Sequence, residues 1–330
     1  MRRRAALRAL AGLLLGAASA AALAGQDLST RADVQAFIVE MVDRHGFVRK
    51  ELDTLFGRAR LDPDVLRLIA PPPPAERSWQ GYRANFVNER RIAAGVEFWA
   101  ENAAVLARAE ARYGVPAEVI VGIIGIETAF GRNTGGFRVM DALATLAFDY
   151  PQRADFFRSE LEQFLLFARE GGFDVLGVKG SYAGAIGIPQ FMPGSYRRFA
   201  VDFDGDGRRD LLGSAADAIG SVGNFLREHG WERGAPAAFP ARVRDDSFRA
   251  FIDGGVKPRH PAAELRAAGV GFDATVPDDA RTVLVELPSP DAPTEYRVGL
   301  QNFYVLTRYN RSSFYASAVL DLAGAIRGSR

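Results

Sequence analysis

The chain has 330 residues, 48% of them hydrophobic and 25% charged, with a formal net charge of +1 and no cysteine. That composition suits a soluble globular protein with a sizeable core and length for about two domains, and it excludes a disordered or collagen-like chain. The missing cysteines exclude disulfides, thiolate metal sites and a cysteine nucleophile, and without a long basic patch the sequence offers no footing for nucleic acid.

Residues 1–24 read as an export signal. Arg2, Arg3, Arg4 and Arg8 form a basic start, Ala9 to Leu15 a short apolar stretch, and Ala22-Leu23-Ala24 fits a small-residue cleavage site. An uncleaved membrane anchor is the alternative, but the apolar run is short and interrupted for a span. Without the four arginines of this segment the rest of the chain is net acidic. No cysteine is available for lipid attachment, so the reading is a soluble, released protein.

Residues 32–70 carry helical spacing at Val34, Phe37, Ile38 and Met41. Pro71–Pro74 reads as an extended connector. A helical stretch from about Phe86 to Tyr113 is punctuated by Gly114, and Pro116 suits the first turn of a helix ending near Gly131. Residues 140–170 are again helical, the Gly-rich stretch from Gly180 to Gly194 interrupts the pattern, and another helix opens at Ser214. From about Gly234 to Gly299, short alternating runs such as Thr282–Leu287 and Tyr296–Leu300 predict a small β-containing subdomain. Helix returns at Ser312–Ile326. The expected fold class is α+β, mainly α.

Four segments carry chemistry. In PAEVIVGIIGIETAFG, Glu127 sits near the end of an almost wholly apolar run. A carboxylate there loses hydration, so its pKa rises and it can stay protonated near neutrality, as a general acid for glycosidic cleavage must. A Glu at a helix end that simply points to water is the alternative. In SYAGAIGIPQFMPGSY, small residues permit close backbone approach and Gln190 supplies donor and acceptor; a Gly-rich packing turn reads equally well. DFDGDGRRD matches the first half of a calcium loop, in which Asp202, Asp204 and Asp206 converge, Gly207 permits the bend and Arg208 offers its carbonyl. The usual Glu at position twelve is replaced by Gly213, so Asp210 or Asp217 must complete the shell. Asp217 has a competing role, because Ser214-x-x-Asp217 resembles a capping box. A solvated acidic turn is the alternative. QNFYVLTRYNRSSFYA holds polar and aromatic residues suited to a sugar groove, or equally a surface loop and a helix with core aromatics.

Together the segments VGIIGIETAFGRNTG, DALATLAFDYPQRADFF, SYAGAIGIPQFMPGSY, VDFDGDG, DAIGSVGNFLREHGW and NFYVLTRYNRSSFYA resemble the lytic murein transglycosylase B family, from about Tyr82 to Ile326. The resemblance implies a lysozyme-like helical core over 101–233, with its calcium loop at 202–217. It further implies an N-terminal helical region at 27–100 joined by 301–330, and the small β subdomain at 234–300. It implies Glu127 as the catalytic acid, and Ser181, Gln190, Tyr309 and Asn310 lining a groove, with Phe225 where the family often has Tyr. It also implies one structural Ca2+ held by Asp202, Asp204, Asp206, Arg208 and Asp217, and no organic cofactor. The expected protein is a periplasmic, soluble monomer acting on peptidoglycan glycan strands. The implied reaction is non-hydrolytic cleavage to 1,6-anhydro ends. The rival readings are a hydrolase of the lysozyme or chitinase type and a non-catalytic, calcium-dependent wall-binding protein.

Overall fold

The computed structural model describes residues 27–70, 78–252 and 255–330. The export signal expected at 1–24 and the connector expected at Pro71–Pro74 lie outside the described residues. The helices run α1 (Ala32–His45), α2 (Arg49–Arg58), α3 (Pro63–Ile69), α4 (Trp79–Phe86), α5 (Glu89–Glu101), α6 (Ala103–Tyr113) and α7 (Ala117–Thr128). They continue as α8 (Val139–Asp149), α9 (Ala154–Gly171), α10 (Pro193–Phe199), α11 (Ala215–Glu228), α12 (Ala262–Ala267), α13 (Gln301–Tyr309) and α14 (Ser313–Gly328). The strands are β1 (Phe137–Arg138), β2 (Lys179–Gly180), β3 (Ala238–Val243), β4 (His260–Pro261), β5 (Val270–Gly271), β6 (Arg281–Ser289) and β7 (Ala292–Gly299). The class is α+β, mainly α.

The chain divides into two compact units, and the division does not follow the segments expected from the sequence. One holds described residues 27–70 with Thr134–Ile186 and Gln190–Arg198; the other holds described residues 78–133, Gly187–Pro189 and the chain from Phe199 onward. Residues 101–233 are therefore shared between both.

In the first unit α9 packs along α8. Phe37, Phe56 and Phe148 meet edge to face at 6.0–6.3 Å, a favourable aromatic arrangement. Arg31 ties the start of α1 to the end of α8 through Asp149 at 2.8 Å. The short pair β1–β2 frames the Gly-rich segment, with Phe137 opposite Gly180.

In the second unit every residue of α7 except Glu118 and Glu127 is buried, and so apolar a helix is stable only when surrounded. Helices α14, α5, α6 and α11 surround it. Ile120, Val121, Ile123 and Ile124 are wholly buried, each contributing about 1.5–3 kcal/mol. The approach of α14 depends on Gly122, where a Cβ would lie 2.9 Å from the Val319 carbonyl oxygen. That close crossing carries the start of α14 to the end of α7. The same unit holds an antiparallel sheet of order β4-β6-β7-β3-β5 over a core of Phe248, Leu265, Val270, Leu284 and Val298.

Two boundaries differ from the sequence reading. The stretch Phe86–Tyr113 breaks at Asn102, which ends α5 and precedes α6. Pro116 is the residue before α7, and that helix stops at Thr128 rather than near Gly131, because Ala129, Phe130 and Gly131 take positive φ of 49°, 64° and 82°. A right-handed helix cannot continue through them.

Candidate active site

Glu127 lies in the last turn of α7. The tight crossing at Gly122 brings Tyr315, in the first turn of α14, onto it, and the Tyr315 hydroxyl donates to Glu127 Oε1 at 2.7 Å. Tyr315 is itself wholly buried. Tyr309 stacks beside it, ring centroids 6.3 Å apart. Tyr82 of α4 reaches the same locality and packs on Phe314 at 5.7 Å and Phe86 at 5.0 Å. Part of the Glu127 side chain stays open to solvent, while these rings and the apolar helix strip most water from its carboxyl. Loss of hydration raises its pKa from 4.5 to about 7, and the Tyr315 hydrogen bond opposes that rise. Among the described residues no carboxylate contributes to that shift. The three phenols are pushed upward, first by burial and then by the Glu127 charge, Tyr82 to about 12. They remain hydrogen-bond donors whenever Glu127 is ionised.

Tyr315→Phe should therefore lower activity about ten- to hundredfold, the worth of a hydrogen bond to a charged group. Because that bond favours the ionised form, its loss should move the alkaline limb of the pH–rate profile to higher pH. A limb that stays put or moves down would contradict the geometry.

The other expected groove residues fall as follows. The Tyr309 hydroxyl donates to the Pro189 carbonyl at 2.6 Å, and its ring meets Phe225 at 4.8 Å. Phe225 is buried and stacks on His229 at 4.0 Å. Asn310, at the end of α13, is exposed. Ser181 and Gln190 belong to the first unit. Ser181 Oγ accepts from the Ala185 N–H at 3.0 Å. Gln190 Nε2 donates to the Thr134 carbonyl at 3.0 Å, and Gln190 holds a left-handed φ of 51°, a conformation costly for a residue with a Cβ. Sequence reasoning missed Tyr82 and Tyr315. Tyr315 lay within a segment marked for its aromatics; Tyr82 carried no signal of its own.

In the acidic loop the structure gathers Asp202, Asp204 and Asp217, whose carboxylate oxygens lie within 4.8 Å of one another. Asp206 is outside that group and accepts from the Arg208 N–H at 2.8 Å. Asp210 turns to the Leu212 and Gly213 N–H groups, both at 2.9 Å. Half of the expected capping box forms: Ser214 Oγ accepts from the Asp217 N–H at 3.1 Å. The reciprocal half does not, because Asp217 is buried and accepts instead from Phe203 at 2.6 Å and Asp210 at 2.7 Å. Burial, and to a lesser degree the Asp204 charge, push the Asp217 pKa up against those hydrogen bonds. Clustered hard oxygen donors that repel one another fit a calcium-type cation.

The mainly helical α+β scaffold is the lysozyme-like fold of the lytic transglycosylases. Residues 29–324 match the family described as "Transglycosylase SLT domain", and the chain belongs to it. It is 41% identical over 317 residues, 93% of its length and 86% of the relative's, to the membrane-bound lytic murein transglycosylase B of Escherichia coli (strain K12). Among solved structures it is similar to the catenated lytic transglycosylase SltB1 of Pseudomonas aeruginosa, with TM-score 0.87 and 48% identity over 92% of this chain and 99% of that one. The E. coli lytic transglycosylase Slt35 in complex with calcium gives TM-score 0.83 and 42% identity over 93% and 96%.

Proposed function

We propose that the chain is a lytic transglycosylase that cleaves the β-1,4 bond from N-acetylmuramic acid to N-acetylglucosamine in peptidoglycan without adding water. The observation that carries this is the position of Glu127 at the end of the buried helix α7, where the Tyr315 hydroxyl donates to its carboxyl and where, among the described residues, no second carboxylate shifts its pKa. Hydrolytic glycosidases mostly pair two carboxylates, one of them serving the nucleophile. Here one group takes both proton steps. Protonated Glu127 gives its proton to the glycosidic oxygen as the C1–O bond breaks. The resulting carboxylate accepts the proton of the muramoyl C6 hydroxyl as its oxygen bonds to C1, which closes the 1,6-anhydro ring. A pKa near neutrality keeps both forms accessible.

Tyr315 fixes the carboxyl between these steps. Tyr309 packs on the glycan with Phe225 behind its ring, and Asn310 binds sugar polar groups. Mass analysis of a digest of purified murein tests the reaction. Anhydro ends, lighter by one water than hydrolysis products, are expected; ends that carry added water would favour a hydrolase, and the absence of cleavage a binding protein.

Asp202, Asp204 and Asp217, with Asp206 and the Arg208 carbonyl, form the proposed calcium loop, which would brace the second unit without entering the chemistry. Calcium at a hundredfold above its dissociation constant should stabilise the fold by about 2.7 kcal/mol and raise the melting temperature by several degrees. An unchanged melting curve would discard the ion. No helix among the described residues is long and apolar enough to cross a membrane. The signal read at 1–24 places the proposed site of action in the periplasm, where its glycan lies.

A further inference from the structure

We propose that Arg91 is a positioning residue for Glu127, holding the turn on which that acid sits; the inference rests on the reading of Glu127 as the catalytic group. Arg91 stands in the first turn of α5, where its own N–H is capped by Asn88 Oδ1 at 3.0 Å. A cation is unfavourable at that end of a helix, whose exposed N–H groups carry partial positive charge. Arg90 beside it adds repulsion, and burial and this neighbour lower the Arg91 pKa. Among the described residues no carboxylate pairs with it, although most other partly buried arginines here, such as Arg31, Arg138 and Arg297, have one.

What Arg91 reaches instead is the C-terminal end of α7. Its Nη1 donates to the Gly125 carbonyl, and its guanidinium lies 5.4 Å from the centre of the Phe86 ring. A cation is favourable at that helix end. The Gly125 carbonyl also accepts the Ala129 N–H at 3.1 Å, and the Ile124 carbonyl accepts the Phe130 N–H at 3.3 Å. These bonds close the left-handed exit of α7 around Glu127.

The exit is costly. Ala129 and Phe130 both hold positive φ, at roughly 1–2 kcal/mol each. The Phe130 ring folds back so closely that a Cβ on Gly125 would lie 2.8 Å from it. Such a turn persists only when its surroundings fix it. Thr128 supplies one tie, donating to the Ile188 carbonyl at 2.8 Å and accepting the Gly131 N–H at 2.9 Å. Arg91 supplies another, at the carbonyl two residues before the acid. Without it, the last turn of α7 has a lower-energy route to unwinding, and the Glu127 carboxyl leaves its place under Tyr315.

The test uses Arg91→Gln and Arg91→Lys in the full chain, with kcat and KM on purified murein, thermal melting, and backbone hydrogen exchange at Ala129 and Phe130. Arg91→Gln should lower kcat about ten- to hundredfold, the usual effect of misplacing a catalytic group by an ångström. KM should change by no more than about twofold, the melting temperature should hold within a few degrees, and exchange at the two amides should speed up. Arg91→Lys, which keeps a cation at the carbonyl, should recover part of kcat and slow the exchange again; should Arg91→Gln fail to fold, this variant alone carries the comparison with wild type. An unchanged kcat would overturn the proposal. So would a raised KM at constant kcat, which would place Arg91 on the glycan, or a loss of activity that follows global melting with no local change in exchange. The wild-type product mass is read separately, so an error in the assigned reaction would show there and not in the Arg91 comparison.

Discussion

Glu127→Gln is expected to reduce murein cleavage on the order of a thousandfold or more, the scale of losing a positioned general acid, while leaving the fold intact. Gln has the same shape and can still accept the Tyr315 hydroxyl, now 2.7 Å from Oε1, but it has no acidic proton to give. Stability should move the opposite way to activity. In the wild type the folded pKa is about 7 against an ordinary 4.5. Between those values the native state keeps a proton that the unfolded chain has released. Stability therefore falls as pH rises from about 4.5 to about 7, by an amount on the order of 3 kcal/mol, and stays lowered above that. The Gln variant lacks this loss. Its melting temperature should exceed the wild type's by a margin that opens across that window and is constant at higher pH. Thermal melts at several pH values, beside a murein-lysis assay, check both halves. Retained lysis would remove Glu127 from the chemistry; a margin independent of pH would mean that its carboxyl is not desolvated as the geometry requires.

Glu127 stood out in the sequence because an acid in an apolar helix is a local contradiction, and local contradictions are legible without a fold. The α+β class was legible for a related reason, since hydrophobic period changes between residues 214–229 and 282–300. The phenols around Glu127 were not. Tyr82 sits among the polar and small residues Gln80, Gly81, Arg83 and Ala84 and Tyr315 in a helix where a tyrosine reads as core, and only the crossing of α14 at Gly122 turns Tyr315 toward the acid. Arg91 falls in the run Glu89-Arg90-Arg91, which reads as a solvated face. The left-handed backbone of Ala129, Phe130 and Gln190 runs against the propensities of those residue types, so no pattern announces it. Asp210 and Asp217 were both open as partners of the acidic loop, because spacing does not say which way a loop folds back; burial of Asp217 against the Phe203 and Asp210 N–H groups decides which carboxylate sits with Asp202 and Asp204.

That burial makes Asp217→Ala the substitution with the largest expected cost in stability. The side chain is 1% exposed and takes the N–H of Phe203 at 2.6 Å and of Asp210 at 2.7 Å, with Asp204 at 3.4 Å. Ala leaves those donors without an acceptor, at about 1–3 kcal/mol for each that is shut off from water, so a loss of roughly 3–5 kcal/mol follows. Asp217→Asn keeps one carbonyl oxygen and should lose about half as much, since its amide must turn a donor toward one of the N–H groups. The two variants also separate the architectural role of Asp217 from its proposed role toward calcium. Both should forfeit most of the calcium-dependent rise in melting temperature, because each removes a charge from the cluster with Asp202 and Asp204. Only Ala should be severely destabilised in chelator. Melting curves in chelator and in calcium give the four values needed. An Asn variant that keeps the full calcium increment would leave Asp217 as a clasp for the loop and assign the ion to other oxygens.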